Sequence, residues 1–120
     1  MKPLLKKLQL HTKEYYIVHL YILNALIPVK LTPKEIDVLA YFMSLQGDIG
    51  KDRFGSSARK MVKEALNLSD GGLGNYLKSL KEKGFITENN QIPEVLIPSH
   101  DKQEYVLMLI NVDYGKEHTN

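Results

Sequence analysis

Residues 66–86, LNLSDGGLGNYLKSLKEKGFI, decide how this chain is read. Ser69 has the short hydroxyl side chain that caps a helix by accepting from a backbone N–H of the first turn. Asp70 follows in that turn, where the helix dipole favours negative charge. Leu73, Leu77 and Leu80 recur at spacings of four and three and so share one helical face. Lys81 and Lys83 fall near the C-terminal end, where positive charge is favoured. Gly84 is a stop signal, and Phe85 and Ile86 open an extended segment. The spacing therefore predicts a helix over residues 70–83. Residues 56–67 precede it, with Ala58, Met61, Val62, Ala65 and Leu66 at helical positions and Ser56 or Ser57 as cap. Only Asn67, Leu68 and Ser69 separate the two segments. Two short amphipathic helices this close must dock sideways, which is the geometry of a helix-turn-helix.

Upstream, residues 31–46 carry a complete start signal. Thr32 is the cap candidate, Pro33 suits the first helical position, and Glu35 completes a capping box. Leu31 and Ile36 have hydrophobic-staple spacing. Ile36, Leu39, Ala40, Phe42 and Met43 form the inner face, and Gly47 ends the helix. Residues 47–56, GDIGKDRFGS, read as a turn-rich bridge pinned by Ile49 and Phe54, with no phosphate-loop ending. Residues 13–27, KEYYIVHLYILNALI, are apolar nearly throughout. Their Tyr, Ile and Val content suits a strand, but their length without Gly or Pro favours a helix. A helix apolar on all sides must be buried, in the core or against another subunit. Residues 1–12 fit either periodicity.

Downstream, FITENN reads as a strand running into a turn. Ile92, Val95 and Ile97 mark a second extended segment, which Pro93 and Pro98 push to a sheet edge. Residues 99–102 form a turn and residues 105–112, YVLMLINV, a third strand. Residues 113–120 read as a polar tail.

The chain has 120 residues and a net charge of +2. That length predicts one domain over 1–120, able to remove about two-thirds of its unfolded surface from water. There is no cysteine, so disulfides, thiol catalysis and cysteine-bound zinc are excluded, and an intracellular or cytoplasmic setting is expected. Lys13, Glu14, His19 and Asn24 interrupt the most apolar stretch, so no membrane span or membrane partner is expected. Charge is uneven: residues 1–34 hold six lysines and one acid, residues 35–90 are balanced, and residues 91–120 hold two lysines and five acids. The N-terminal segment is thus the most favourable to an anionic partner.

Ser69, Leu73, Leu77, Leu80, Gly84, Phe85 and Ile86 resemble the recognition helix and exit of winged helix-turn-helix proteins, such as MarR-like and related small regulators. The resemblance spans roughly residues 31–90. It implies an α+β winged helix-turn-helix: a trihelical core and small antiparallel wing over residues 31–112, with an added apolar N-terminal segment over residues 1–30. It also implies a double-stranded DNA partner, met by the helix over residues 70–83 in the major groove. The base-facing positions would be Gly71, Gly72, Gly74, Asn75, Lys78 and Ser79. Asn75 could pair with adenine, and Lys78 could reach guanine or phosphate. The glycines depart from the family's polar residues; they offer no side-chain donor but let another backbone come close.

Candidate phosphate contacts are Lys51, Arg53, Arg59, Lys60 and Lys63, with Lys81, Lys83 and Lys102 beyond them. The expected function is a non-enzymatic DNA-binding regulator. The alternative is a protein-binding domain with an assembly role. Residues 13–27 are expected to form a homo-oligomer contact. His11, His19, His100 and His118 make no metal-binding spacing, and no nucleophile, base and acid cluster appears, so no catalytic residue, metal or cofactor is expected. His19 is expected to be a core or interface histidine.

Overall fold

The computed structural model describes residues 12–45, 52–93 and 96–97. They form four helices: α1 (Lys13–Leu26), α2 (Pro33–Ser44), α3 (Ser56–Leu66) and α4 (Asp70–Glu82). Among the described residues there is no strand. The expected α+β winged fold is therefore corrected, over the described residues, to an all-helical arrangement.

α2 is the central helix and packs against the other three. Ile36, Val38, Leu39, Ala40, Phe42 and Met43 are all buried. Burial of three consecutive residues, 38–40, requires neighbours on more than one side. Lys34, Asp37, Tyr41 and Ser44 form the one partly wet stripe. The helix starts as its sequence predicts. Thr32 Oγ1 accepts from the Glu35 N–H at 3.2 Å, and Glu35 Oε1 accepts from the Thr32 N–H at 2.8 Å. Leu31 and Ile36 are both buried beside this capping box.

α1 settles the helix-or-strand ambiguity of residues 13–27 in favour of helix. Thr12 caps it by accepting from the Tyr15 N–H at 3.1 Å. Tyr15, Tyr16, His19 and Leu20 face the core. Asn24 fastens the linker to α2: its Nδ2 donates to the Leu31 carbonyl at 3.2 Å, and its Oδ1 accepts from the Leu31 N–H at 2.7 Å. His19 is a core residue, 4% exposed, whose Nε2–H donates to the Leu96 carbonyl at 2.7 Å. Its ring stacks on Tyr15 at 6.4 Å between centroids. Burial pushes the imidazole below its usual pKa, and the bond to Leu96 only partly offsets this.

α3 begins differently from expectation. Its N-cap is Gly55, not Ser56 or Ser57, and no side chain caps it. The Asp52 carboxylate lies against the Cα of Gly55, where a Cβ would displace that side chain. Ala58 and Val62 are buried, whereas Met61 and Ala65 face solvent. Asn67 turns the chain out of α3 in the left-handed conformation (φ 54°), and Ser69 starts α4 by accepting from the Gly72 N–H at 3.0 Å. α4 buries Leu73, Leu77 and Leu80 as predicted. It ends at Gly84 (φ +86°), where the Phe85 N–H bonds the Leu80 carbonyl at 2.9 Å and the Gly84 N–H bonds the Lys81 carbonyl at 3.1 Å. This is a Schellman motif, with Leu80 and Phe85 both buried.

The wing fails to start for a countable reason. Thr87 donates its N–H to the Gln91 carbonyl at 2.7 Å, closing one rung of a turn. Gln91 returns its N–H to Thr87 Oγ1, not to the backbone. The next hydrogen-bonded rung would pair residues 85 and 93. The Phe85 N–H is already committed to Leu80, and Pro93 has none. Phe85, Ile86 and Ile92 are buried, but as turns packed on the helices. The second extended segment is also corrected: the Leu96 N–H closes a turn on the Pro93 carbonyl at 2.9 Å. Leu96 is buried there and Ile97 is exposed. The expected strand at 105–112, the turn at 99–102 and the tail at 113–120 lie outside the described residues, as do Gly47, Ile49, Val95, His11, His100 and His118. Among the described residues, no helix is long and apolar enough to cross a membrane.

Candidate nucleic-acid interface

α4 has two sides of different character. Opposite its buried leucines, Gly71, Gly74, Asn75 and Lys78 are exposed at spacings of three, one and three, which place them on one outward face. A Cβ added at Gly71 or Gly74 would meet nothing within 4 Å. No interior contact therefore requires glycine at either position. Each costs the helix about 0.5–1 kcal/mol relative to alanine. Gly71→Ala and Gly74→Ala should each raise stability by about that amount, read as a rise in urea midpoint with unchanged slope. Destabilisation by either would show that the exposed face is packed in solution.

The other two predicted base-facing residues sit on the flank of α4. Gly72 lies against its own cap, where a Cβ would stand 3.1 Å from Ser69 Oγ. Ser79 is turned inward, and its hydroxyl donates to Glu35 Oε2 at 2.5 Å. Lys83 joins the same carboxylate, with Nζ 2.6 Å from Glu35 Oε1 and 3.0 Å from the Lys30 carbonyl. Glu35 is only 3% exposed. Burial alone would raise its pKa. Lys83, Ser79 and Thr32 together outweigh burial and hold it at about 2. This carboxylate ties the start of α2 to the end of α4 and so fixes how the outward face of α4 is presented. The sequence marked Glu35 only as part of a capping box. The available hint was the pair Ser79 and Lys83, four residues apart on the flank of α4.

The predicted phosphate contacts divide in the same way. Arg53 is half-buried, and its Nη1 donates to the carbonyls of Phe42 (2.8 Å), Met43 (2.9 Å) and Leu45 (3.4 Å). It closes the C-terminal end of α2. Arg59 is exposed but gives its Nε–H to the Phe54 carbonyl at 2.9 Å. Lys63 is paired with Asp70, whose carboxyl it holds below the usual range. Lys60, Lys78 and Lys81 are exposed and make no hydrogen bond or ion pair with any described residue. Lys51 and Lys102 lie outside the described residues.

The structure thus sets Asn75, Lys78 and Lys81 along one open, glycine-lined face of α4, and leaves Lys60 exposed on α3. It withdraws Ser79, Lys83 and Arg53 into internal contacts. In the N-terminal part, Lys13 pairs with Asp37 at 2.8 Å and lies over the Tyr41 ring, while Lys30 Nζ sits on the Asn24 carbonyl at 2.6 Å. Compared with protein-family models, curated proteins and solved structures, the chain matches none.

Proposed function

We propose that the chain is a non-enzymatic DNA-binding protein, a small transcriptional regulator acting inside the cell, that lays α4 against the major groove of a duplex. The observation behind this reading is the outward face of α4. It joins side chains suited to base edges, Asn75 and Lys78, to two glycines that let a backbone approach closely and that no internal contact requires. Lys60 on α3, exposed and without a charge partner among the described residues, lines a groove with Asp70 at the start of α4. In this reading Asn75 supplies site preference through a bidentate contact to adenine. Lys60, Lys78 and Lys81 supply phosphate attraction without sequence preference.

The test is selection from random duplexes with the purified full chain, followed by titrations at several salt concentrations. A reproducible enriched motif is the expected outcome. Asn75→Ala should then weaken binding to the enriched duplex by about 1–3 kcal/mol while barely changing binding to random duplex. Lys60→Ala should weaken both alike and reduce the salt slope by about one. Absence of any salt-dependent duplex binding by the folded chain would discard the proposal. A protein-assembly role would then stand instead, favoured by the apolar outer side of α1.

A further inference from the structure

The groove between α3 and α4 carries four charged side chains, Lys60, Lys63, Glu64 and Asp70, with Ser56 and Asn67 as neutral donors beside them. Two lysines stand against two acids, so the groove is neutral overall. One of its pairs is bonded. Lys63 Nζ donates to Asp70 Oδ1 across the turn that joins the helices. The pair lies open: the Asp70 side chain is 87% and that of Lys63 28% exposed, so a second anion can reach the ammonium. Exposed pairs of this kind are weak, and exchanging one oxyanion for another costs little. Lys60 precedes Lys63 by one turn on the same side of α3. Asp70 also heads a row on α4. Gly74 and Lys78 follow it at spacings of four and Lys81 three further on, and all of them are exposed. A carboxylate therefore leads the side of α4 that carries Lys78 and Lys81.

We propose that Asp70 is an internal competitor of the duplex backbone: it occupies Lys63, which would otherwise neutralise a phosphate beside Lys60. The inference rests on the duplex reading of α4. A phosphate offers Lys63 the same charged oxygen acceptor as the Asp70 carboxylate. What stands against the phosphate is the balance of charge. Without Asp70 the groove has a net charge of +1 and its bonded lysine is released. Asp70 thus withdraws one cation from the surface and adds one anion to the row that faces the duplex. Both effects act through phosphates and so weaken binding to every sequence alike. Glu64 lines the same groove with the same charge but makes no ion pair with a described residue, which makes it the natural control.

Titration of the full chain against random-sequence duplex and against any enriched duplex, at several salt concentrations, tests it. Asp70→Asn should tighten binding to both by about eightfold at 0.1 M salt and steepen the salt slope by about one, the effect of one further neutralised phosphate. Glu64→Gln should tighten binding less and leave the slope nearly unchanged, since it releases no lysine. In a Lys63→Met background the gain from Asp70→Asn should vanish, because the two residues act as one pair. Circular dichroism checks that each variant keeps its helices, and Asp70→Ser replaces Asp70→Asn if that variant does not. A gain that persists in Lys63→Met, or one that Glu64→Gln equals, would overturn the proposal. So would a loss of binding to the enriched duplex alone, the result expected if Asp70 accepted from a base amino group. A wild type that binds duplex and that Asp70→Asn leaves no tighter would remove this inference only. No duplex binding by either form at any salt would remove the reading of α4 and this inference together.

Discussion

Glu35→Ala should destabilise the fold by about 3 kcal/mol near neutral pH, toward the lower end of what breaking a buried ion pair costs. The carboxylate serves three donors: the Thr32 N–H, the Ser79 hydroxyl and the Lys83 ammonium. Its removal opens the capping box and strands Lys83. The Lys83 side chain is 26% exposed and can partly turn to water, which moderates the loss. Glu35→Gln keeps the shape and part of the cap, so its smaller cost isolates the charge. The same site sets an acid limit. Because the folded-state pKa is about 2 against an ordinary 4.5, the unfolded chain binds this proton more readily. The stabilisation is complete above pH 4.5 and is lost as pH falls from 4.5 toward 2. His19 has the same sign in a higher window. Its lowered pKa means that stability declines once pH drops below 6.5. Urea midpoints measured across pH should therefore fall in two steps, and Glu35→Ala should abolish only the lower one. A full lower step retained in Glu35→Ala would assign it to another group.

Phe42→Ala should cost about 3–5 kcal/mol, a large part of the roughly 5–15 kcal/mol that holds a typical domain together. Phe42 is fully buried on the central helix. Its ring lies 4.8 Å from that of Phe54, tilted by 40°. Phe54 belongs to the turn that leads into α3, so the cavity would open where α2 holds the start of the α3–α4 pair. Phe42→Leu should recover much of the loss by refilling volume. Denaturant titration of the two variants checks this, and a cost below about 1 kcal/mol for Phe42→Ala would contradict the packing described.

The helices were legible because their signals are local. Thr32, Pro33 and Glu35 announce α2, and Ser69 and Gly84 bracket α4, with all the partners within a few residues. The wing misled because β-favouring residues at 85–87 say nothing about where their N–H groups go. One was already taken by the helix cap and the facing one was missing at Pro93. On the candidate interface, helical periodicity was enough to turn Asn75 and Lys78 outward. It could not show that Lys83 reaches a carboxylate 48 residues earlier, or that Arg53 spends its guanidinium on the carbonyls of α2. A cation in a sequence looks the same whether it faces solvent or closes a helix.

α4 is held unequally at its two ends, and this gives it the mechanics of a cantilever. Its C-terminal end is clamped by a buried carboxylate that salt barely screens. Its N-terminal end is held by the Ser69 cap and by the Lys63–Asp70 ion pair, in which Asp70 is largely in water and open to screening. The compliant part of the beam is the glycine-rich stretch over residues 71–74, adjoining the weaker support. Bending and fraying therefore concentrate in the first two turns, and amide exchange should grow faster toward Gly71 and slower toward Leu80. Rising ionic strength should steepen that gradient by weakening the Lys63–Asp70 pair while leaving the buried Glu35 clamp largely unchanged.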